Sequence, residues 1–184
     1  MYFEYHQIML RPQDVVVLLK LSLLGDERPP YLKIANDVHM YPSEVYTSIK
    51  RARASQLLQG PEMKDRVNRS ALLEFLLHGI RYAFPAETGS LTRGIPTSYG
   101  ASPLNEHIES GSEPLPVWPY PEGHTRGYSF APLHKNVPQA ALDDVRLYKL
   151  LTLVDAMRDG RVRERKIAAQ ELRSRIEYST NAEP

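Results

Sequence analysis

The sequence contains no cysteine and no long hydrophobic run, and each absence excludes a class of proteins. Without cysteine the chain has no disulfide, no thiolate zinc site and no cysteine nucleophile. The longest apolar run, residues 15–19, is far shorter than the roughly 20 residues that a membrane-spanning helix needs. The first ten residues lack the basic start and the small-residue cleavage site of a secretory signal. These absences predict a cytoplasmic protein with no membrane span.

An excess of either charge is also missing, because 23 lysines and arginines are matched by 22 acidic residues. The net charge of +1 provides little general attraction to polyanions. The charges are unevenly distributed: residues 158–175 hold seven basic and three acidic side chains, whereas residues 95–140 hold eight of the 15 prolines. With 184 residues and 42% apolar content, the chain is predicted to fold around one hydrophobic core.

Three helices are predicted in the first third of the chain. Residues 12–24 have proline in the first turn, apolar residues at helical spacing and Gly25 as a stop signal. A short helix over residues 31–38 and a longer one over 42–59 are separated by a tight turn, residues 39–41. The pattern is helix, short helix, turn and longer helix.

Beyond the third helix the sequence turns to shorter elements. A fourth helix is predicted over residues 68–78, and residues 80–96 contain two strand-prone runs separated by PAETGS, which indicates a β-hairpin. Residues 102–138 form a connector rich in proline, glycine and serine, with a second small hairpin indicated around residues 122–123. Its aromatic residues either line a ligand or peptide groove or cover a small core. They are Trp118, Tyr120, Tyr128 and Phe130.

The C-terminal part predicts two antiparallel helices that meet at Gly160. Each helix carries an apolar stripe, and these stripes are the candidate dimerisation surface. The alternative, that both stripes pack on the chain's own core, stays open at this point. The stripe residues are Leu147, Leu150, Leu151, Val154, Leu172 and Ile176.

Residues 34–58 carry the one pattern that points to a function. Their apolar residues recur at the spacing of two crossing helices joined by a short turn, with the small Ala35 at the crossing point. This stretch resembles the helix-turn-helix of MarR-like winged-helix transcriptional regulators. The resemblance implies that the second helix enters the major groove of DNA. The candidate DNA-binding residues are Tyr41, Ser43, Glu44, Tyr46, Thr47, Lys50 and Arg51.

The turn and the wing depart from that family's pattern. His39 occupies the turn position where the family usually has glycine, although histidine tolerates a left-handed backbone better than branched residues do. The hairpin predicted over residues 80–96 comes one helix later than the family's wing. Taken as the wing, it places Arg81 and Arg93 against the DNA backbone.

The sequence shows no pattern typical of an enzyme. No two histidines have the i, i+4 spacing of a helical metal site, and neither a phosphate loop nor a GxSxG motif is present. No catalytic residue, metal or cofactor is therefore predicted.

The predicted fold is mainly α with a small β component. It comprises a winged helix-turn-helix domain over residues 1–100, a proline-rich connector over 101–140 and a C-terminal helical pair over 141–184. The resemblance implies a sequence-specific bacterial transcriptional regulator that binds double-stranded DNA as a homodimer. Two copies are expected because one weakly basic module neutralises few phosphates. The alternative is a protein-binding adaptor or antitoxin-like subunit that holds a co-encoded partner protein.

Overall fold

A computed structural model describes residues 9–25, 28–61, 64–109 and 111–177, and it is mainly helical with a small β component, as predicted. Its first part consists of three helices and a pair of two-residue strands. In chain order they are α1 (Pro12–Leu23), α2 (Tyr31–Val38), α3 (Pro42–Ala54), β1 (Leu58–Gln59) and β2 (Arg66–Val67). Helix α3 ends earlier than predicted, because Gln56 adopts a left-handed backbone with φ of 59° and turns the chain.

A helical stretch follows β2, and the second half of the chain alternates strands with helices. The stretch is α4 (Arg69–Glu74), a π-helical turn (Phe75–Gly79) and α5 (Ile80–Ala83). After it come strand β3 (Thr88–Pro96), two short 3₁₀ turns (Ser98–Gly100 and Leu104–Glu106), and strands β4 (Pro116–Pro119) and β5 (Thr125–Phe130). The last elements are α6 (Val137–Asp143), α7 (Val145–Asp159) and α8 (Val162–Glu177).

The β-hairpin predicted over residues 80–96 is wrong in its first half. Leu72, Leu76 and Ile80 recur every four residues and are all buried. The buried face of the helical stretch therefore continues past the predicted end of the fourth helix, His78. Packing of this apolar stripe outweighs the strand preference of residues 80–84. Only the second run becomes a strand, as β3.

Strand β3 pairs with two partners and forms a small closed sheet. It runs antiparallel to β4 at one end and to β5 along most of its length, while β4 and β5 contact each other in parallel. The two segments that flank residues 122–123 are strands β4 and β5. Because they pair in parallel, they do not form the antiparallel hairpin predicted there.

Two glycines allow these three strands to approach so closely. A Cβ on Gly94 would lie 2.0 Å from the carbonyl oxygen of Trp118, and a Cβ on Gly127 would lie 2.0 Å from that of Leu115. Any side chain at these positions would push the strands apart, so the sheet closes only with glycine there.

A buried carboxylate attaches this sheet to α7. One oxygen of Asp155, Oδ2, accepts hydrogen bonds from Thr97 Oγ1 at 2.8 Å and from Trp118 Nε1 at 2.6 Å. The other, Oδ1, accepts one from Arg158 Nη1 at 2.8 Å. Arg158 also donates to the backbone carbonyls of Phe84 and Ala131. Burial raises the pKa of the Asp155 carboxyl, and the three donors oppose that rise.

The candidate dimerisation residues lie inside the chain's own core, which corrects their predicted role. All six, Leu147, Leu150, Leu151, Val154, Leu172 and Ile176, are at most 1% exposed. Helix α7 is buried on every side from Leu150 to Arg158, because α1, α5, α6 and α8 all pack around it. Side chains already covered by their own chain offer no surface to a second copy, so the alternative left open by the sequence is the correct one.

Candidate nucleic-acid interface

A tight turn, closed by two backbone hydrogen bonds, joins α2 to α3. Helix α2 ends with His39 in the left-handed region at φ of 54°. The N–H of Met40 donates to the carbonyl of Ala35 at 2.9 Å, and that of His39 donates to the carbonyl of Asn36 at 3.3 Å. These two bonds form a Schellman motif, which usually has glycine at the left-handed position. Histidine therefore supports the same tight turn at some cost in backbone strain.

Contacts from α6 and from Asn136, which directly precedes it, hold this turn in place. The side-chain amide of Asn136 donates a hydrogen bond to the carbonyl oxygen of His39. The Nε2 atom of His39 lies 2.6 Å from Oδ2 of Asp143. Both contacts join residues about a hundred positions apart in the chain, so the turn depends on the C-terminal half for its support.

Helix α3 begins directly after the turn. Pro42 occupies its first position, where the missing N–H costs nothing, and the backbone N–H of Tyr41 donates to Oε2 of Glu44 at 2.8 Å. Glu44 is half-buried, and its carboxylate accepts this capping hydrogen bond. The structure therefore places Glu44 as a capping residue at the start of α3.

One face of α3 packs on α2, as the apolar spacing predicted, and it also packs on α1. Val45, Ile49 and Ala52 are at most 3% exposed, and so are Ile34 and Val38 of the crossing helix. Ridges of small and branched side chains fix the angle between the two helices.

The opposite face of α3 is exposed and polar. Ser43, Tyr46, Thr47 and Lys50 lie on it, and Tyr41 at its start is 74% exposed. The Lys50 ammonium lies 5.7 Å from the centre of the Tyr46 ring. The structure thus brings five of the seven predicted α3 residues to one accessible surface.

Arg51 does not belong to that surface, which corrects its predicted role as a DNA contact. It is 5% exposed, and its Nε and Nη2 atoms donate to the two carboxylate oxygens of Asp14 at 2.8 Å and 2.6 Å. Asp14 is fully buried and also accepts the N–H of Arg11 at the start of α1. Arg51 therefore neutralises a buried carboxylate and joins α3 to α1.

A short antiparallel hairpin follows α3 directly, in a position that sequence reasoning missed. Leu58 pairs with Val67 and Gln59 pairs with Arg66. Strands of two residues leave almost no alternating pattern to detect, and Gly60-Pro61 indicated only a helix stop. Lys64 and Arg66 add exposed basic residues beside α3.

Asp65 fixes the hairpin to the helices. Its carboxylate, 1% exposed, forms ion pairs with Arg53 of α3 and with Arg28, which precedes α2. Arg53 also donates to the carbonyl of Gly60 at 3.2 Å. A buried carboxylate between two arginines holds the hairpin in a fixed position against α3.

Arg81 and Arg93 lie on neither α3 nor the β1–β2 hairpin, and they lie on two different elements. Arg81 lies on α5, half-buried, with its guanidinium 5.4 Å from the Tyr82 ring centre. Arg93 is exposed on β3, in the closed sheet. They do not flank one hairpin as predicted, because residues 80–83 are helical.

Most of the aromatic residues of the connector serve the core. Trp118 and Phe130 are at most 2% exposed, and Tyr120 is half-buried with its hydroxyl hydrogen-bonded to Gln139 at 2.7 Å. Tyr128 alone among these four is largely exposed, at 47%. Of the two interpretations of this segment, Trp118 and Phe130 follow the second, because they are buried in the core.

Among the described residues, no three His, Asp or Glu side chains are grouped so that they could hold a metal ion. No helix in the part of the chain that the structure describes is long and apolar enough to cross a bilayer. Comparisons of the chain with models of protein families, with curated proteins and with solved structures find no match.

Proposed function

We propose that the protein is a sequence-specific DNA-binding transcriptional regulator that inserts α3 into the major groove. The observation that carries this proposal is the exposed polar face of α3, with α2 packed behind it across a tight turn. Ser43, Thr47 and Lys50 have the donors, acceptors and lengths that reach base edges and phosphates. The proposed function is binding and requires no catalytic group.

The order of elements supports a winged-helix interpretation of the same region. Three helices are followed at once by the β1–β2 hairpin, which is where a wing would stand. In this proposal Lys64 and Arg66 contact phosphates beside the groove, and residues 80–96 are no longer the wing. Asp65 would keep the hairpin at a constant distance from α3.

The small number of basic residues on this face argues for two copies on one DNA site. A single module neutralises few phosphates, and affinity grows with the number neutralised. The proposal therefore includes a homodimer on a two-fold DNA site, paired through surfaces other than the buried stripes of α7 and α8.

Gel-shift titration with DNA from upstream of the protein's own gene tests the proposal. The double variant Thr47→Ala/Lys50→Ala is expected to weaken binding at least about tenfold, since a lost base contact costs about 1–3 kcal/mol. The matched control is Lys166→Ala, which removes an exposed charge from α8 and should change affinity less than about twofold.

The salt dependence of the same titration provides a second readout. Phosphate contacts predict a steep fall in affinity as salt rises. Unchanged binding by the double variant would reject α3 as the recognition helix. No shift of DNA together with salt-insensitive binding of a co-encoded protein would favour the adaptor alternative.

A further inference from the structure

Two arginines lie directly opposite each other on the closed sheet. Arg93 of β3 and Arg126 of β5 are register partners in the antiparallel ladder, so their side chains leave the same face. Both are exposed, and neither forms an ion pair with a carboxylate in the described ranges of the chain. Like charges at directly opposed positions destabilise a sheet. An anion between the two guanidinium groups would remove this repulsion.

A cleft of about 430 Å³ opens at this arginine pair. Its lining adds His124 to the two arginines. Thr92 and Thr125 also line it, but as strand neighbours of the arginines their side chains leave the opposite face of the sheet. Both guanidinium groups and the imidazole can donate a hydrogen bond, and no carboxylate lines the cleft. The lining therefore has the chemistry of an oxyanion site.

The shape of the cleft is set by a close backbone approach. A Cβ on Gly123 would lie 2.4 Å from the backbone of Gly94, so the loop before β5 presses directly onto β3. This contact holds His124, which directly precedes β5, beside the arginines of the two strands. The donors are thus carried by a packed sheet and a tight loop.

We propose that this cleft binds the phosphate group of a small phosphorylated compound. Paired guanidinium forks match phosphate oxygens in bidentate geometry better than any other side chain. The volume lies in the range of small-molecule sites, and a phosphate with an attached sugar or base fills such a space. The site stands on β3 and β5, shares no residue with the exposed face of α3, and goes beyond the DNA-binding function proposed above.

Titration of the full-length protein with inorganic phosphate, followed by ¹⁵N NMR, tests the proposal. We expect saturable shifts at residues 91–94 and 123–126, and no such shifts with chloride at equal ionic strength. Adenosine 5′-monophosphate should shift the same residues, and adenosine should not.

Variants of the arginine pair make the test specific. Arg93→Ala and Arg126→Ala should each weaken phosphate binding about tenfold, the loss expected for a charge-assisted hydrogen bond. Arg173→Ala is the matched control, because it removes an exposed guanidinium from α8, and it should change the Kd less than about twofold. Arg126→Gln, which keeps most of the length of the side chain, replaces Arg126→Ala if the latter loses its dispersed spectrum.

Three results would overturn the proposal. The first is phosphate shifts no larger than those of chloride. The second is an equal loss of binding in Arg173→Ala, which would indicate general charge attraction. The third is tighter binding of a 20-base-pair DNA duplex than of adenosine 5′-monophosphate, with shifts at residues 91–94 and 123–126. That result would indicate that the arginines contact a nucleic-acid backbone.

Discussion

Two neighbouring basic residues of α3 have opposite environments. Lys50 is exposed beside the Tyr46 ring, whereas Arg51 is buried against Asp14. A buried carboxylate that loses its partner is costly, while an exposed lysine contributes little to folding. The two positions therefore separate stability from binding.

Arg51→Ala should lower the free energy of unfolding by about 3–5 kcal/mol, because Asp14 would remain buried without a cation. Lys50→Ala should change it by less than about 0.5 kcal/mol. Urea unfolding followed by circular dichroism measures both. Equal stabilities of the two variants would show that the Arg51–Asp14 pair does not hold α3 to α1.

A second residue-scale effect concerns Asp144, which begins α7. Its Oδ1 accepts the N–H groups of Arg146 and Leu147 at 2.9 Å and 3.1 Å, and its Oδ2 lies 2.9 Å from Lys20 Nζ. Burial alone would raise the pKa of the Asp144 carboxyl, but the Lys20 ammonium and the two N–H groups lower it below 3.8. Hydrogen bonds to Asp144 and Asp37 raise the pKa of Lys20 above 10.5 despite its burial.

Because the pKa of the Asp144 carboxyl is lowered in the folded protein, the free energy of unfolding depends on pH in the acidic range. A depressed carboxyl pKa adds stability above the ordinary value of 3.8, and that stability disappears as pH falls through the lower folded value. Asp144→Asn keeps the helix cap and removes the charge, so it should cost at most about 1 kcal/mol at neutral pH. The cost should shrink as pH falls below 3.8. Unfolding curves of both proteins across this pH range measure the difference. A difference that stays constant with pH would exclude the Lys20 pair as its source.

At the scale of elements, the closed sheet depends on positions that carry no side chain. Strands β3, β4 and β5 come together because Gly94 and Gly127 face carbonyl oxygens that a Cβ would strike. On the same strand as Gly94, a Cβ added to Gly89 would meet only the Ser129 side chain, at 3.5 Å, which is ordinary contact. One strand therefore offers both a sensitive glycine and a tolerant one.

Gly94→Ala should destabilise the protein by about 3 kcal/mol or more, since two backbones must separate to admit the methyl group. Gly89→Ala is the control and should change stability by less than about 1 kcal/mol. Thermal unfolding compares the two. A similar melting temperature for both variants would show that the sheet can open at Gly94 without cost.

At the scale of the whole molecule, the chain folds around one continuous core. Buried residues from α1 to α8 belong to a single cluster, and α7 lies at its centre. Trp118 of the connector and Leu172 of α8 are fully buried in that same cluster. The segments predicted over residues 1–100, 101–140 and 141–184 thus share their apolar interior.

A fragment of residues 1–100 should not fold by itself, because removal of α7 would expose the apolar faces of α1 and α5. We expect circular dichroism to show much less helix per residue than in the full chain, and NMR to show poor dispersion. The full chain should unfold in a single cooperative transition. A dispersed spectrum from the fragment would mean that α1–α3 and the β1–β2 hairpin form an independent domain.

Local signals placed most of the helices and part of the candidate interface. Proline in the first turn located the start of α1 and of α3, and apolar residues at helical spacing located α2. The same spacing separated buried Val45 and Ile49 from exposed Thr47 and Lys50. Two-residue strands carry too little pattern to predict, so the β1–β2 hairpin was missed. Strand-prone residues 80–83 were misassigned because the buried stripe that makes them helical begins eight residues earlier.

The sequence by itself indicated the tight turn and the packing of α2 on α3, and it excluded disulfides and any apolar run of membrane-spanning length, because each depends on neighbouring residues or on composition. Only the tertiary structure decided which side chains are available. Asp14 reaches Arg51 across 37 positions of sequence, and α1 covers the stripe of α7 from the far end of the chain. Register in the closed sheet likewise sets Arg93 opposite Arg126. Long-range packing assigns a charged or apolar residue to the core or to a surface, and no local pattern contains that information.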